Sequence, residues 1–277
     1  LAIGSLQSIQ GDNKSLSAEE LMPYLADLHI DDAKLADMRD WLLEWDYQFN
    51  MESSQTVLYS NFWARLLDNL FNDQVRNVKL DDEEIHAYGI DSDMRATYLL
   101  MQEPDNAWWD DATTTDIVET RDDILLRSFQ EGYANSTSEL GKDRSKWKWG
   151  DVHTATFVSL PLGESGTGII EHMVNRGPFA VAGTMATVNN TAWVVEEVGE
   201  EEGFAVDYMP SMRMIVDLSD LTQSVSINTT GQSGHPFSAN YANMIDLWRN
   251  IEYHSMMWSR GQVEAATVAK LILKPGE

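Results

Sequence analysis

The sequence predicts an α+β protein in which a mainly helical first half precedes a mainly antiparallel β second half. Up to about residue 140, apolar residues recur at the three- to four-residue spacing of an amphipathic helix. After residue 147, glycines and β-branched residues become frequent, and short runs alternate apolar and polar side chains. We therefore divide the chain into a mainly helical region, 1–146, and a mainly β region, 147–277, with one helix near 240–249.

Helices of the first region are defined by their apolar stripes. The earliest should have a capping box formed by Ser17 and Glu20. The next should begin at Asp31 and Asp32, whose negative charge suits the N-terminal end of a helix dipole. The predicted ranges are 17–29, 31–49, 53–72, 91–101 and about 115 to just before Gly141.

Strands of the second region are short and rich in β-branched residues. The clearest runs from Met212 to Leu218, where side chains alternate at the period of two that a strand requires. Near the end of the chain, a strand should close the fold between Ala265 and Leu273. The other predicted strands are His153–Leu160, Ala192–Val198 and Ser224–Thr229, and the predicted helix is Asn240–Trp248.

Composition excludes several classes of protein. A hydrophobic content of 43%, with ten tryptophans, is that of an ordinary globular chain. The formal net charge of −26 argues against nucleic acid and against anionic membrane surfaces, because both attract basic proteins. The absence of cysteine excludes disulfides and thiolate sites, and no apolar run approaches the roughly 20 residues of a membrane span.

The motif Gly-Gln-Ser-Gly-His-Pro-Phe-Ser at 231–238 is the most distinctive segment. Gly231 and Gly234 permit positive φ, and Pro236 restricts φ and removes a backbone donor, so the segment is predicted to form a sharp corner. Within it, Ser233 and His235 suggest a serine hydrolase. However, the motif differs from the nucleophile elbow, and we favour a structural turn.

Four further residues admit a chemical and a structural interpretation. His153 could be a general base, but beside Trp149 it better fits a packed aromatic corner. Arg213 and Asp217 could form an ion pair inside the β region, which would be structural before it is catalytic. Gln232, together with Asn240, is expected to hold the corner through side-chain hydrogen bonds to the backbone.

Acidic clusters raise the question of a metal site. They occur at 81–84, at Asp91 and Asp93, and at Asp110 and Asp111. None has the spacing of a calcium loop, and His86 lacks the spacing of a helical zinc motif. We therefore predict no metal site and no cofactor in this chain.

Taken together, several blocks resemble the penicillin acylase (penicillin amidase) family of N-terminal-nucleophile hydrolases. The 231–238 motif follows an arginine-to-aspartate strand and earlier tryptophan–glycine–histidine and glycine-to-asparagine blocks, in the order of the family. These blocks span most of the chain and match the last half or so of the family's β subunit. The blocks are 147–153, 183–189, 212–218, 231–238 and 271–275, with weaker ones at 45–46, 108–111 and 119–125.

The resemblance implies an αββα architecture and hydrolysis of a linear or lactam-bearing amide. In the family, the nucleophile is a serine at the start of the β subunit, so it would lie upstream of Leu1, together with any calcium ligands. The matching residues Trp149, His153, Arg213, Asp217, Gln232, Ser233 and His235 are then expected to be structural. The expected partners are an α subunit, the N-terminal part of the β subunit and a small acyl amide, in the periplasm or outside a bacterium.

Two other functions stay open at this point. The chain could be a free-standing, non-catalytic module that binds a partner. It could also be an independent hydrolase that works through Ser233 or His153. One departure from the family also matters. After the 231–238 motif, the polar residues that relatives carry are replaced by Asn240, Ala242 and Asn243, which weakens any inference about the substrate.

Overall fold

The structure is a computed structural model that describes residues 2–75, 79–80, 83–84, 93–195, 198–199 and 203–276. The chain forms two compact units. The larger is Asp12–Met209, and the smaller combines Leu1–Gly11 with Pro210–Glu277. Residue 147 lies inside the larger unit, and the division at 146/147 therefore stays a prediction about secondary structure.

Helix α1 covers Ile3–Gln10 and belongs to the smaller unit. The first helices of the larger unit are α2, Leu16–Ala26, and α3, Ala33–Leu43. The side chain of Ser15 accepts the Ala18 N–H at the start of α2, so the cap is two residues earlier than predicted. Asp32 caps α3 as expected, by accepting the Lys34 and Leu35 N–H groups.

Three longer or later helices follow, α4 (Gln55–Phe71), α5 (Asp93–Met101) and α6 (Arg121–Leu140). Most of α4 is buried, and α6 packs along it. Gly132 allows this approach, because a Cβ there would lie 2.6 Å from the Phe62 nitrogen. The rings of Phe62 and Phe129, 6.0 Å apart, fill the interface. This helical pair is the centre of the larger core.

The β elements of the larger unit are short. Strands β1, Lys79–Leu80, and β2, Glu83–Glu84, pair antiparallel. A single helical turn, α7, covers Trp149–Val152 and leads into β3, Thr154–Phe157. Helix α8, Gly168–Val174, then precedes β4, Arg176–Ala180, which pairs antiparallel with β3.

The smaller unit contains an antiparallel sheet of three strands in the order β5-β6-β7. Its strands are β5, Met212–Ile215, β6, Val225–Asn228, and β7, His254–Ser255. Met212 pairs with Asn228, and Ile215 with Val225. Two helices complete the described part of this unit, α9 (Ile245–Arg249) and α10 (Arg260–Ala266).

The predicted α+β class is confirmed, whereas several element boundaries were wrong. The helix predicted over 31–49 ends at Leu43, although Trp45 and Phe49 remain buried beyond it. The predicted strand from Ala192 gives only an isolated bridge to Tyr208. Instead of a closing strand, α10 is followed by an exposed irregular segment, 267–276. Among the described helices, none is long and apolar enough to cross a membrane.

Candidate functional site

The residues Trp149 and His153 form the most completely buried polar site in the family-like motifs. They lie one turn apart on α7, so their rings face the same side and stack, with centroids 4.5 Å apart and planes at 19°. Phe49 and Phe204 pack on the Trp149 ring at 5.7 and 5.2 Å. Both Trp149 and His153 are fully buried. We call this group the tryptophan–histidine corner.

Both nitrogens of the His153 ring are occupied. Nδ1 lies 2.8 Å from the Phe204 carbonyl oxygen, which can only accept, so Nδ1 carries the proton. Nε2 lies 3.0 Å from the Thr191 hydroxyl and must then accept its proton. The same hydroxyl lies 2.9 Å from the Ala182 carbonyl oxygen, which also accepts from the Asn189 side chain. A neutral imidazole with its proton on Nδ1 therefore satisfies every group.

Burial lowers the pKa of His153 from 6.5 to about 4, although its hydrogen bond to the Phe204 carbonyl oxygen acts in the opposite direction. The ring is thus neutral at pH 7. Because neither nitrogen is free and the ring is fully buried, His153 has no route for taking a proton from a substrate. The geometry favours a structural histidine, although no measurement tests its role.

The loop 182–191 is held by this corner and was identified beforehand only as a family-like block. Gly183 has a φ of +98°, and its oxygen accepts from Trp149 Nε1 at 3.1 Å. Its N–H donates to the Phe49 carbonyl oxygen. Asn189 closes the loop by donating from Nδ2 to Asn13 Oδ1 at 2.9 Å. The pairing of Asn13 with Asn189, 176 positions apart, left no signal in the sequence.

Arg213 and Asp217 have separate partners in the smaller unit. The buried Arg213 donates from Nη1 to the Trp248 carbonyl oxygen at 2.8 Å, and its guanidinium lies 4.9 Å from the Trp248 ring centre. Asp217 instead organises a turn by accepting from the Ser219 hydroxyl and the backbone N–H groups of Ser219 and Asp220. These bonds, the Ser219 hydroxyl first, lower the pKa of the Asp217 carboxyl.

The segment 231–241, which we call the Gly231 corner, is a backbone structure. A Cβ on Gly231 would lie 2.2 Å from the Asn240 carbonyl oxygen, and the Ser233 N–H donates to that oxygen at 3.0 Å. Neither Gly231 nor Gly234 has a positive φ, contrary to expectation. Gly231 is therefore required for a close approach between chain segments, whereas Gly234 faces open space.

The side chains of the Gly231 corner do not form a nucleophile and its base. Ser233 Oγ accepts from the backbone N–H of His235 at 3.1 Å, and His235 Nδ1 accepts from the Phe237 N–H at 3.2 Å. The hydroxyl and the imidazole thus serve neighbouring backbone groups. Gln232 is exposed, and Asn240 holds the corner through its carbonyl oxygen, so the expected side-chain contacts of this pair were wrong.

Two hollows in the larger unit were tested as substrate sites. The first is a surface cleft of about 410 Å³ lined by polar and acidic residues, including Glu44, Asp46 and Glu52. The second lies between Phe49, Trp63 and Trp193, and its volume of about 10 Å³ has room for no more than one water molecule. Neither has the size and the apolar lining that an acyl chain requires.

The described residues provide no group of three or more histidine, aspartate or glutamate side chains that could hold a metal ion. The calcium expected from the family resemblance therefore has no ligands among them. The acidic residues at 81–82, Asp91 and His86 lie outside the described part of the chain.

The structure thus places the seven motif residues in two separate groups. Trp149 and His153 belong to the larger unit, where they hold the loop 182–191. The other five belong to the smaller unit, where each has a local structural contact or an exposed position. The five are Arg213, Asp217, Gln232, Ser233 and His235.

Comparison with known proteins identifies relatives of this chain. The family model described as penicillin amidase matches residues 1–265. The chain is 30% identical over 253 residues to the acyl-homoserine lactone acylase QuiP of Pseudomonas fluorescens, covering 88% of this chain and 29% of that protein. The QuiP of Pseudomonas aeruginosa is 30% identical over 232 residues, which are 78% of this chain and 26% of that protein. The chain therefore spans under a third of the length of these relatives.

A solved structure shares the fold. A thermostable penicillin G acylase from Alcaligenes faecalis matches all of this chain with a TM-score of 0.50 at 12% identity, and the match covers 50% of that acylase chain. The helical first half, the antiparallel strands and the ordered motifs thus agree with the family model. The chain belongs to the penicillin amidase family.

Proposed function

We propose that this chain is the scaffold portion of an amidohydrolase that cleaves the amide bond of an N-acylated small molecule. The observation that carries the proposal is the 30% identity to acyl-homoserine lactone acylase QuiP across 88% of the chain. Such coverage extends through both compact units, so the likeness is not confined to one motif.

An N-acyl homoserine lactone is the proposed substrate class. Six relatives carry the name acyl-homoserine lactone acylase, whereas penicillin appears only in the name of the family and of the distant structural match. Hydrolysis of this substrate would break the bond between the acyl carbonyl carbon and the lactone nitrogen. A water molecule would supply the hydroxyl of the fatty acid and the proton of the released amine.

The attacking group is proposed to lie outside these 277 residues, on a serine that begins the β subunit. Its own α-amine, with a usual pKa of about 7.7–8.0, would accept the hydroxyl proton at neutral pH. Two features of this chain support that division. Ser233 and His235 bind backbone groups rather than each other, and His153 is buried and neutral.

The remaining parts of the proposal follow the same division of labour. An α subunit and the N-terminal part of the β subunit would complete the enzyme, in the periplasm or outside a bacterial cell. Neither nucleic acid nor a membrane surface is proposed as a partner, because the net charge is −26. Any calcium would be bound by residues outside this chain, and this chain alone would be inactive.

Assays of the full-length gene product and of the 277-residue polypeptide would test the proposal. The substrates would be N-acyl homoserine lactones with short and long chains and a phenylacetyl anilide, and mass spectrometry would detect the free acid and the amine. We expect turnover by the full-length protein alone. Turnover by the polypeptide would favour an independent hydrolase, and no turnover by either, with folding verified, would favour a binding module.

A further inference from the structure

Strand β5 has side chains suited to burial on both faces, but one face is open in this chain. Arg213 and Ile215 point to one side and are buried. On the other side lies a row that we call the outer stripe. Its members Met212, Met214, Val216 and Leu218 have exposed fractions of 55%, 44%, 41% and 88%. Alternate residues of an extended chain share a face, so the stripe is continuous.

An antiparallel strand with one face in water normally carries polar side chains on that face. The outer stripe has four apolar side chains in a row instead, which is the pattern of a strand covered on both sides. The residues paired with Met212 and Met214 on β6 are Asn228 and Ser226, which are small and uncharged. The centre of this face therefore lacks charge, as do the centres of protein interfaces.

The backbone of β5 is less available than its outer face. β6 pairs with it along its whole length, and the Met214 carbonyl oxygen also accepts from Gln10 Nε2 of α1 at 3.3 Å. Side chains that engage strand backbone in this way discourage the addition of another strand. The open surface is thus the side-chain face, which a packed layer can cover.

Charge and length indicate what covers the outer stripe. A second copy of this chain would bring together two bodies of net charge −26, which repel one another. The chain also spans only 29% of the QuiP relative and 50% of the structurally similar acylase. We propose that the outer stripe is the docking face for an apolar layer contributed by the part of the protein that lies outside these 277 residues. This inference rests on the proposed function only for the existence of that longer protein.

Methionine oxidation of the full-length protein would test the inference directly. Dilute hydrogen peroxide converts accessible methionines to sulfoxides, and peptide mass spectrometry gives a rate for each position. Met257, with an exposed fraction of 49%, is the matched exposed control, and Met22, at 2%, is the buried control. We expect Met212 and Met214 to oxidise at least about tenfold more slowly than Met257 and close to the rate of Met22.

Rates for Met212 and Met214 equal to that of Met257 would overturn the inference. Protection that disappears when the protein is diluted would also overturn it, in favour of a second copy. The experiment does not use activity. An active enzyme with an oxidised stripe would reject this inference alone, and an inactive protein with a protected stripe would reject only the proposed function.

Discussion

The tryptophan–histidine corner and the Gly231 corner are both built around glycine, but they are held in opposite ways. In the first, buried side chains bind one another and the loop 182–191, so each polar atom depends on a distant partner. In the second, exposed side chains bind only the backbone of their neighbours. The comparison teaches that a distinctive motif may mark either a buried network or a local turn. Substitutions should separate the two corners clearly.

The largest effect is expected for Trp149→Ala. This change removes a fully buried indole, its packing against Phe49 and Phe204, and its hydrogen bond to Gly183. We expect the free energy of unfolding to fall by about 3–5 kcal/mol, measured by urea denaturation. Trp258→Ala, at a tryptophan with an exposed fraction of 68%, is the control and should change it by less than about 0.5 kcal/mol. Equal effects would mean that Trp149 does not anchor the larger unit.

Acid should weaken the tryptophan–histidine corner through His153. Its pKa is about 4 in the folded state and 6.5 when unperturbed, so the unfolded chain binds the proton more readily between these values. The contribution of the neutral ring is complete above pH 6.5 and is lost as the pH falls toward 4. Between pH 7 and pH 5 this linkage should lower the free energy of unfolding by about 2 kcal/mol.

His153→Gln should remove that part of the pH dependence, measured by urea denaturation at both pH values. His235→Gln, at the exposed histidine of the Gly231 corner, should leave it unchanged. The carboxyl groups of Asp111, Asp143, Asp217 and Asp220 have a lowered pKa, so their linkage falls below this pH window. An identical slope for the wild type and His153→Gln would contradict the buried, neutral assignment.

Within the Gly231 corner, the two glycines should differ from each other. Gly231→Ala places a methyl group 2.2 Å from the Asn240 carbonyl oxygen, so the corner must open, at a cost of about 1–3 kcal/mol. Gly234→Ala meets no atom within 4 Å and has no positive φ, so it should be neutral or slightly stabilising. Thermal unfolding of the two variants provides a matched pair. A larger loss for Gly234→Ala would reverse the assignment of the close approach.

Much of the helical region could be predicted because its signals are local. The apolar stripes located α4 and α6, whose buried faces follow the helical period. The same signal extended α3 too far, since Trp45 and Phe49 continue the apolar pattern after the helix has ended. Burial in an irregular segment cannot be distinguished from burial in a helix by periodicity alone.

Contacts between distant segments could not be predicted from residue pattern. Strand β4 contains Gly177 and Pro178, which are poor strand formers, and its pairing with β3 determines its structure. Arg213 binds the Trp248 carbonyl oxygen across 35 positions, while the nearer Asp217 was the predicted partner. In contrast, Trp149 and His153 are four positions apart, and a single helical turn is enough to stack them.

The smallest effect is expected for Ser233→Ala. Its Oγ accepts one hydrogen bond from the His235 N–H in an exposed corner, where water can replace the lost acceptor. We expect a loss of about 0.5–1 kcal/mol in the free energy of unfolding and less than a twofold change in kcat/KM of the full-length amidohydrolase. Thr191→Val is the contrasting change in the tryptophan–histidine corner. It deprives the buried Nε2 of His153 of its donor and should be more destabilising, by about 1–3 kcal/mol. A Ser233→Ala enzyme that keeps its stability but loses activity by tenfold or more would place the nucleophile in the Gly231 corner, and the proposed division between scaffold and reacting group would fail.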